Sequence, residues 1–363
     1  MNARIETMPG HAPKSILIMA GGTGGHIFPA LAVAQVLREA GWRVVWTGNP
    51  DGMEARLVPQ HGFPVEFVRF AALRGKGLLR KLQLPFVLLR GFREALAVLR
   101  RVRPDVVLGM GGYVSFPGGV MARLLGIPLV VHEQNSIPGL ANRTLARIAS
   151  RVLTGFPEAL PTGAWVGNPV RAELAAVPPP EERLAGREGP LRLLVVGGSL
   201  GAQALNEAIP AGIARITAQE RPEIVHQAGE KHLEDLQARY AETGVRAHCV
   251  RFIEDMAGAY AWADLVICRA GALTIAELAA VGVAAILVPF PFAVDDHQTQ
   301  NAKFLVATGG AFLLAQTELR PEAIARIERY GRGQLLEMAK KARLIARPEA
   351  ARAVADVCAE VAQ

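Results

Sequence analysis

Short, uninterrupted apolar runs recur along this chain, and each ends in glycine or polar residues. In the first half they are Ser15–Ala20 (SILIMA), Arg43–Thr47, Asp105–Leu108, Pro128–His132, Val152–Thr154 and Ala164–Val166. In the second half they are Leu191–Val196, a run ending at Cys268, and Ala284–Val288, with further, more mixed strands expected at Glu223–Gln227 and Ala247–Phe252. Runs apolar at every position, rather than at alternate ones, predict strands covered on both faces, as in a parallel sheet. Between them lie segments of helical periodicity. One is rich in Ala, Leu and Val, starts near Pro29 and reaches Ala40; another spans Leu273–Val281. After Asn301 the pattern reads as helical to the end, closing on the amphipathic stretch 350–363. Strand–helix alternation of this kind predicts an α/β fold. The segment from Ala175 to Pro190 holds four prolines and mixed charge, which separates the halves. The strand-to-glycine turns at Gly21 and Gly197 lie 176 residues apart (197 − 21), so two Rossmann-like domains in tandem are expected rather than a solenoid.

The turns carry the candidate chemistry. Gly21-Gly22-Thr23-Gly24-Gly25-His26 joins the first strand to its helix, and Gly109-Met110-Gly111-Gly112-Tyr113 follows a later strand. Glu133-Gln134-Asn135 places polar groups at a strand's carboxyl end, where open α/β sheets bind ligands. In the second half, Gly197–Ala202 repeats the glycine turn, and Arg269-Ala270-Gly271 opens the helix that carries Glu277. A small-residue turn at a helix N-terminus exposes backbone N–H groups that suit an anion. Glu277, about one turn inside, would then reach the sugar of a nucleotide; an ordinary βαβ unit with an exposed Glu is the alternative. A dehydrogenase reading is weak. The first loop lacks the G-x-G-x-x-G spacing, and no acidic residue ends the next strand.

With 363 residues, 51% hydrophobic and 20% charged, the chain can bury two cores. Its three cysteines (Cys249, Cys268, Cys358) show no CxxC spacing and no His cluster, which argues against a disulfide framework or a structural zinc. Met1 to Pro13 has no apolar core of the signal-peptide kind, and the longest uncharged runs are interrupted by Gly and Pro, so no spanning helix is expected. The net charge of +7 is uneven. Residues 1–170 hold 19 Lys and Arg against 9 Asp and Glu, and Arg69–Arg103 alone carries ten cations against one anion. Interleaved with Leu, Phe and Val, these cations fit a surface lying on anionic lipid. A solvated helix face and a nucleic-acid patch are the alternatives, but no nucleic-acid motif accompanies the charge.

Eight segments, in order over nearly the whole chain, resemble the MurG family of peptidoglycan glycosyltransferases. They are GGTGGHIFPALA at Gly21, RGKG at Arg74, GMGGYVSFPG at Gly109, HEQNSIPGLANR at His132, GNPVR at Gly167, GGSLGA at Gly197, CRAGALTIAE at Cys268 and DHQTQNA at Asp296. The resemblance implies an α/β chain of the GT-B fold, two Rossmann-like domains facing a deep interdomain cleft. It places an acceptor- and membrane-binding domain at 1–168 and a donor-binding domain at 169–343, with the last helix, about 344–363, packing back on the first.

It also implies an inverting transfer of N-acetylglucosamine from UDP-N-acetylglucosamine to the C4 hydroxyl of the muramoyl sugar of lipid I, giving the β-1,4-linked lipid II. No cofactor or metal is expected, since the chain has no Asp-x-Asp pair. The expected partners are the donor, the undecaprenyl-linked acceptor and an anionic membrane surface. The expected location is peripheral, on the cytoplasmic face of the bacterial inner membrane. Donor contacts carried over by motif are Thr23, Gly24, Gly25 and Asn135 on the first domain. On the second they are Arg171, Ser199, Ile253, Ala272, Leu273, Thr274, Ile275, Ala276, Glu277 and Gln298. Gly111, Gly112, Tyr113, Ser115 and Glu133 are acceptor-binding candidates, with Glu133 equally readable as a buried loop anchor. His26 is the candidate general base, since histidine titrates near neutrality; a structural or acceptor-binding role is its alternative, and His297 is a weaker competitor. A UDP-N-acetylglucosamine epimerase on the same fold, or a non-catalytic UDP-sugar-binding module at the membrane, are the competing functions.

Overall fold

The computed structural model describes residues 13–70, 78–198 and 201–362. Among these residues the chain forms two compact units. One runs through Arg171 and takes back Arg347–Gln363; the other is Ala172–Ala346.

The first unit is built on seven parallel strands: β1 (Ser15–Ala20), β2 (Arg43–Gly48), β3 (Val65–Phe67), β4 (Val106–Gly111), β5 (Leu129–Glu133), β6 (Arg151–Thr154) and β7 (Ala164–Trp165). Their order is β3-β2-β1-β4-β5-β6-β7, so the chain winds outward from β1 in one direction and then from β4 in the other. The reversal lies between β1 and β4, where open sheets leave a crevice at their carboxyl ends. Every side chain of β1 and β4 is buried, which explains their unbroken apolar sequence. Helices α1 (Gly24–Glu39), α2 (Met53–Gln60), α3 (Leu78–Val102) and α4 (Ser115–Leu124) cover the faces. The returning helix Ala350–Val361 completes one face, with Val354, Ala355 and Cys358 packed into the cluster of Ile16, Ile18 and Leu108.

The second unit carries β8 (Arg192–Val196), β9 (Glu223–Gln227), β10 (His248–Val250), β11 (Leu265–Cys268), β12 (Ala284–Leu287) and β13 (Ala311–Leu313), in the order β10-β9-β8-β11-β12-β13. Here the reversal lies between β8 and β11. No described helix is long and apolar enough to cross a membrane.

Four details depart from the sequence reading. Helix α1 starts at Gly24, not near Pro29, because the amides of His26 and Ile27 both bond the Thr23 carbonyl (3.1 and 3.2 Å) and turn the glycines into the first helical turn. Strand β4 continues through Gly109-Met110-Gly111 rather than ending at Leu108, with a bulge at Met110 where Met19 pairs Gly109 and Ala20 pairs Gly111. The chain after Asn301 is not helical throughout: it breaks at Gly309 (φ +77) and forms β13 before becoming helical again. Strand β3 had not been foreseen. Three-residue edge strands such as β3 and β13 are too short to show a two-residue period.

Candidate active site

Within the first unit, the carboxyl ends of β1, β4 and β5 bring the two glycine loops and the His132–Asn135 segment together. The Gly21 amide bonds the Gly111 carbonyl at 3.3 Å, and a Cβ on Gly112 (φ +85) would collide with the Gly21 carbonyl. Only a glycine lets these two backbones approach so closely. Beneath the first loop sits Glu54, buried on α2, whose carboxylate accepts the Gly22 amide at 3.0 Å and the Asn49 amide at 2.8 Å. Gly21 and Gly52 are glycines for the same reason: a Cβ on either would press into this carboxylate.

His26 lies in the first turn of α1, half-buried, with Nδ1 2.8 Å from Oε1 of Gln134. Its ring packs against the Cα of Gly111, where a Cβ would stand 2.8 Å from both Nδ1 and Cε1. Behind it, buried Gln134 meets His132, whose Nε2 lies 2.9 Å from the Gly167 carbonyl. Burial lowers the His132 pKa to about 4, the Gly167 carbonyl opposing only in part. Asn168 extends the network by donating to the Gln134 carbonyl at 2.9 Å. These bonds tie the Gly167–Arg171 turn to the first unit, and Arg171, expected on the second domain, closes that unit.

Three expected residues are turned inward. Glu133 is buried and accepts from the Asn135 amide (2.9 Å), the Asn142 side chain (3.0 Å) and the Gly139 amide (3.2 Å), so it anchors its own loop and aims Asn135. Ser115 is buried, its hydroxyl donating to the Gly112 carbonyl at 2.7 Å, and it shapes the second glycine loop. Gly111 belongs to β4, with φ +101. Thr23, Gly25 and Tyr113 remain exposed, with Gly24 and Asn135 half-buried beside them.

In the second unit, the helix Ala272–Val281 begins directly beyond β11, capped by Gly271 without a side-chain bond to its first amides. Backbone N–H groups at a helix start of this kind suit an anion. Ala272 and Ile275 point into the core, while Leu273, Thr274, Ala276 and Glu277 are partly accessible. Tyr260, almost fully buried, donates its hydroxyl to Glu277 Oε2 at 3.2 Å and orients the carboxylate; the sequence reading had passed it over. Ile253 is buried, so only its backbone can be offered. Gln298 accepts the Phe290 amide at 2.9 Å, closing the loop after β12. Arg269, read in sequence only as part of the turn before the Ala272–Val281 helix, braces that loop through the Val288 carbonyl (3.1 Å) and Gln316 (2.8 Å) and stacks on Phe290. Ser199, and the RGKG segment at Arg74, lie outside the described residues.

Two parallel sheets, each with glycine turns at its switch point, are what a nucleotide-sugar glycosyltransferase uses, and family models agree. Residues 16–154 match the glycosyltransferase family 28 N-terminal domain and residues 192–355 its C-terminal domain. The chain is 69% identical over 350 residues, 96% of its length and 99% of the relative's, to the UDP-N-acetylglucosamine--N-acetylmuramyl-(pentapeptide) pyrophosphoryl-undecaprenol N-acetylglucosamine transferase of Dechloromonas aromatica. It is 59% identical to the Ralstonia nicotianae transferase of the same name, over all of both chains. The crystal structure of Acinetobacter baumannii MurG superposes with a TM-score of 0.84 at 43% identity, covering 96% of this chain and all of that one. The chain belongs to the MurG family of glycosyltransferases.

Proposed function

We propose that the chain transfers N-acetylglucosamine from UDP-N-acetylglucosamine to the C4 hydroxyl of the muramoyl sugar of lipid I, inverting the anomeric centre to give the β-1,4 bond of lipid II. The observation that carries this reading is the likeness to transferases of that name from end to end. The second unit holds the donor. The helix start at Ala272–Leu273 takes the diphosphate together with Ser199, Glu277 takes the ribose hydroxyls, and the Ile253 backbone reads the uracil edge. Gln298 and Asn135 suit the sugar.

His26 Nε2 takes the proton of the acceptor hydroxyl as its oxygen bonds the anomeric carbon. The bond from that carbon to the diphosphate breaks, UDP leaves with the electron pair, and Arg171 supplies a cation for the leaving charge. The first unit meets the membrane through α3, where Phe86 and Leu89 are 75% and 58% exposed beside Arg90 and Arg93. This supports reversible attachment to the anionic cytoplasmic face of the inner membrane. The side chains of Arg80 and Lys81, in the same basic stretch, lie outside the described residues.

The test is UDP release with and without a lipid I analogue. Acceptor-dependent release is expected; release or epimerisation of the donor without acceptor would instead favour the epimerase reading.

A further inference from the structure

The bonds behind His26 have a direction set by backbone carbonyls. The Gly167 carbonyl can only accept, so His132 Nε2, 2.9 Å away, carries a proton and donates it. His132 is fully buried and its pKa is lowered to about 4 by that burial, so the ring is neutral and Nδ1 holds a lone pair. Gln134 Nε2 stands 3.0 Å from this lone pair and 3.0 Å from the His132 carbonyl, two acceptors that fix which end of the amide is nitrogen. The amide oxygen therefore faces His26 Nδ1 at 2.8 Å, and an amide oxygen cannot donate. His26 Nδ1 must carry the proton.

We propose that Gln134 and His132 are positioning residues that hold neutral His26 in its Nδ1–H tautomer, leaving the lone pair on Nε2. A free neutral imidazole prefers the opposite tautomer, which would leave no lone pair on Nε2 to take a proton. The tautomer at one ring nitrogen is set by the bond made at the other. The catalytic consequence rests on the reading of His26 as base; the tautomer does not. Gly111 completes the arrangement, since its bare Cα is what lets the ring sit within reach of Gln134.

Long-range proton–nitrogen correlation spectra of the full chain, with nitrogen-15 in its histidines and recorded near pH ~8, where histidine is ordinarily neutral, read the tautomers directly. His26→Ala and His132→Asn variants assign the signals. In the wild type, His26 should show a protonated Nδ1 and His132 a protonated Nε2. Gln134→Met, of similar shape but with no amide, should move His26 toward the Nε2–H form. It should also lower kcat by roughly 10- to 10²-fold with little change in the KM for UDP-N-acetylglucosamine. A wild-type His26 found as Nε2–H overturns the proposal without recourse to any Gln134 variant. So does a folded Gln134→Met protein that keeps both the Nδ1–H signature and the wild-type kcat. A His26→Ala protein with undiminished kcat overturns instead the reading of His26 as base, and leaves the wild-type spectrum as the test of the tautomer.

Discussion

The imidazole of His26 rests against the bare Cα of Gly111: a methyl group there would stand 2.8 Å from Nδ1 and from Cε1. One residue comes from the first turn of α1 and the other from the end of β4, so this contact ties the candidate base to the sheet's switch point. Gly111→Ala should therefore act through His26. Its φ of +101 makes any side chain strained, at about 1–3 kcal/mol, and the displaced ring should lower kcat by roughly 10²-fold. UDP affinity, assigned to the second unit, should not change. Steady-state kinetics beside calorimetry with UDP checks both halves; weakened UDP binding would contradict the division of roles.

Glu54 should matter for stability. Its buried carboxylate holds the Gly22 and Asn49 amides, so Glu54→Ala leaves two donors unpaired beneath the first glycine loop. The expected loss is about 2–4 kcal/mol in denaturant unfolding of the first unit. An unchanged midpoint would mean that the loop is held by something else.

On the donor side, Glu277→Ala should weaken UDP by about 1.5–3 kcal/mol, as for a bond to a charged group. Tyr260→Phe, which removes only the hydroxyl that orients this carboxylate, should cost about 0.5–1.5 kcal/mol. Calorimetry giving Tyr260→Phe the larger effect would mean that Tyr260, rather than Glu277, is the principal contact.

Acid should loosen the second unit. His226 is buried between the Tyr240 hydroxyl (2.9 Å) and the Asn206 side chain (3.2 Å), and burial lowers its pKa to about 3 from an ordinary 6.5. Below the ordinary value the unfolded chain takes up a proton that the folded chain refuses. The stabilising effect is thus complete above pH ~6.5 and lost as pH falls toward ~3, amounting to roughly 2 kcal/mol by pH 5. Denaturant unfolding between pH 7 and ~5 should show this slope, and His226→Gln should flatten it. An equal slope in that variant would assign the effect to other groups.

Much of this architecture could be read from the chain. The runs SILIMA at Ser15 and the one ending at Cys268 are buried on both faces, so their composition announced parallel strands, and the glycine clusters marked the loops at their carboxyl ends. The motif order singled out the segments that hold His26 and Glu277. Tyr260 and Glu54 were not legible, because each acts through a single atom reached by folding: the phenol lies 17 residues before its partner, and Glu54 lies 32 residues after Gly22. In sequence, Glu133 read equally as an acceptor contact or as a buried loop anchor. Only the fold shows its carboxylate taken up by its own loop, since polar residues at a strand's carboxyl end can serve either purpose.

The central claim is glycosyl transfer to lipid I, and the product itself tests it most directly. Labelled UDP-N-acetylglucosamine and a lipid I analogue, incubated with the protein and analysed by mass and by the coupling at the new anomeric proton, should yield a β-1,4-linked disaccharide on the lipid carrier and one UDP for each bond. An α-linked disaccharide, free N-acetylglucosamine without disaccharide, or an epimerised donor would contradict the account.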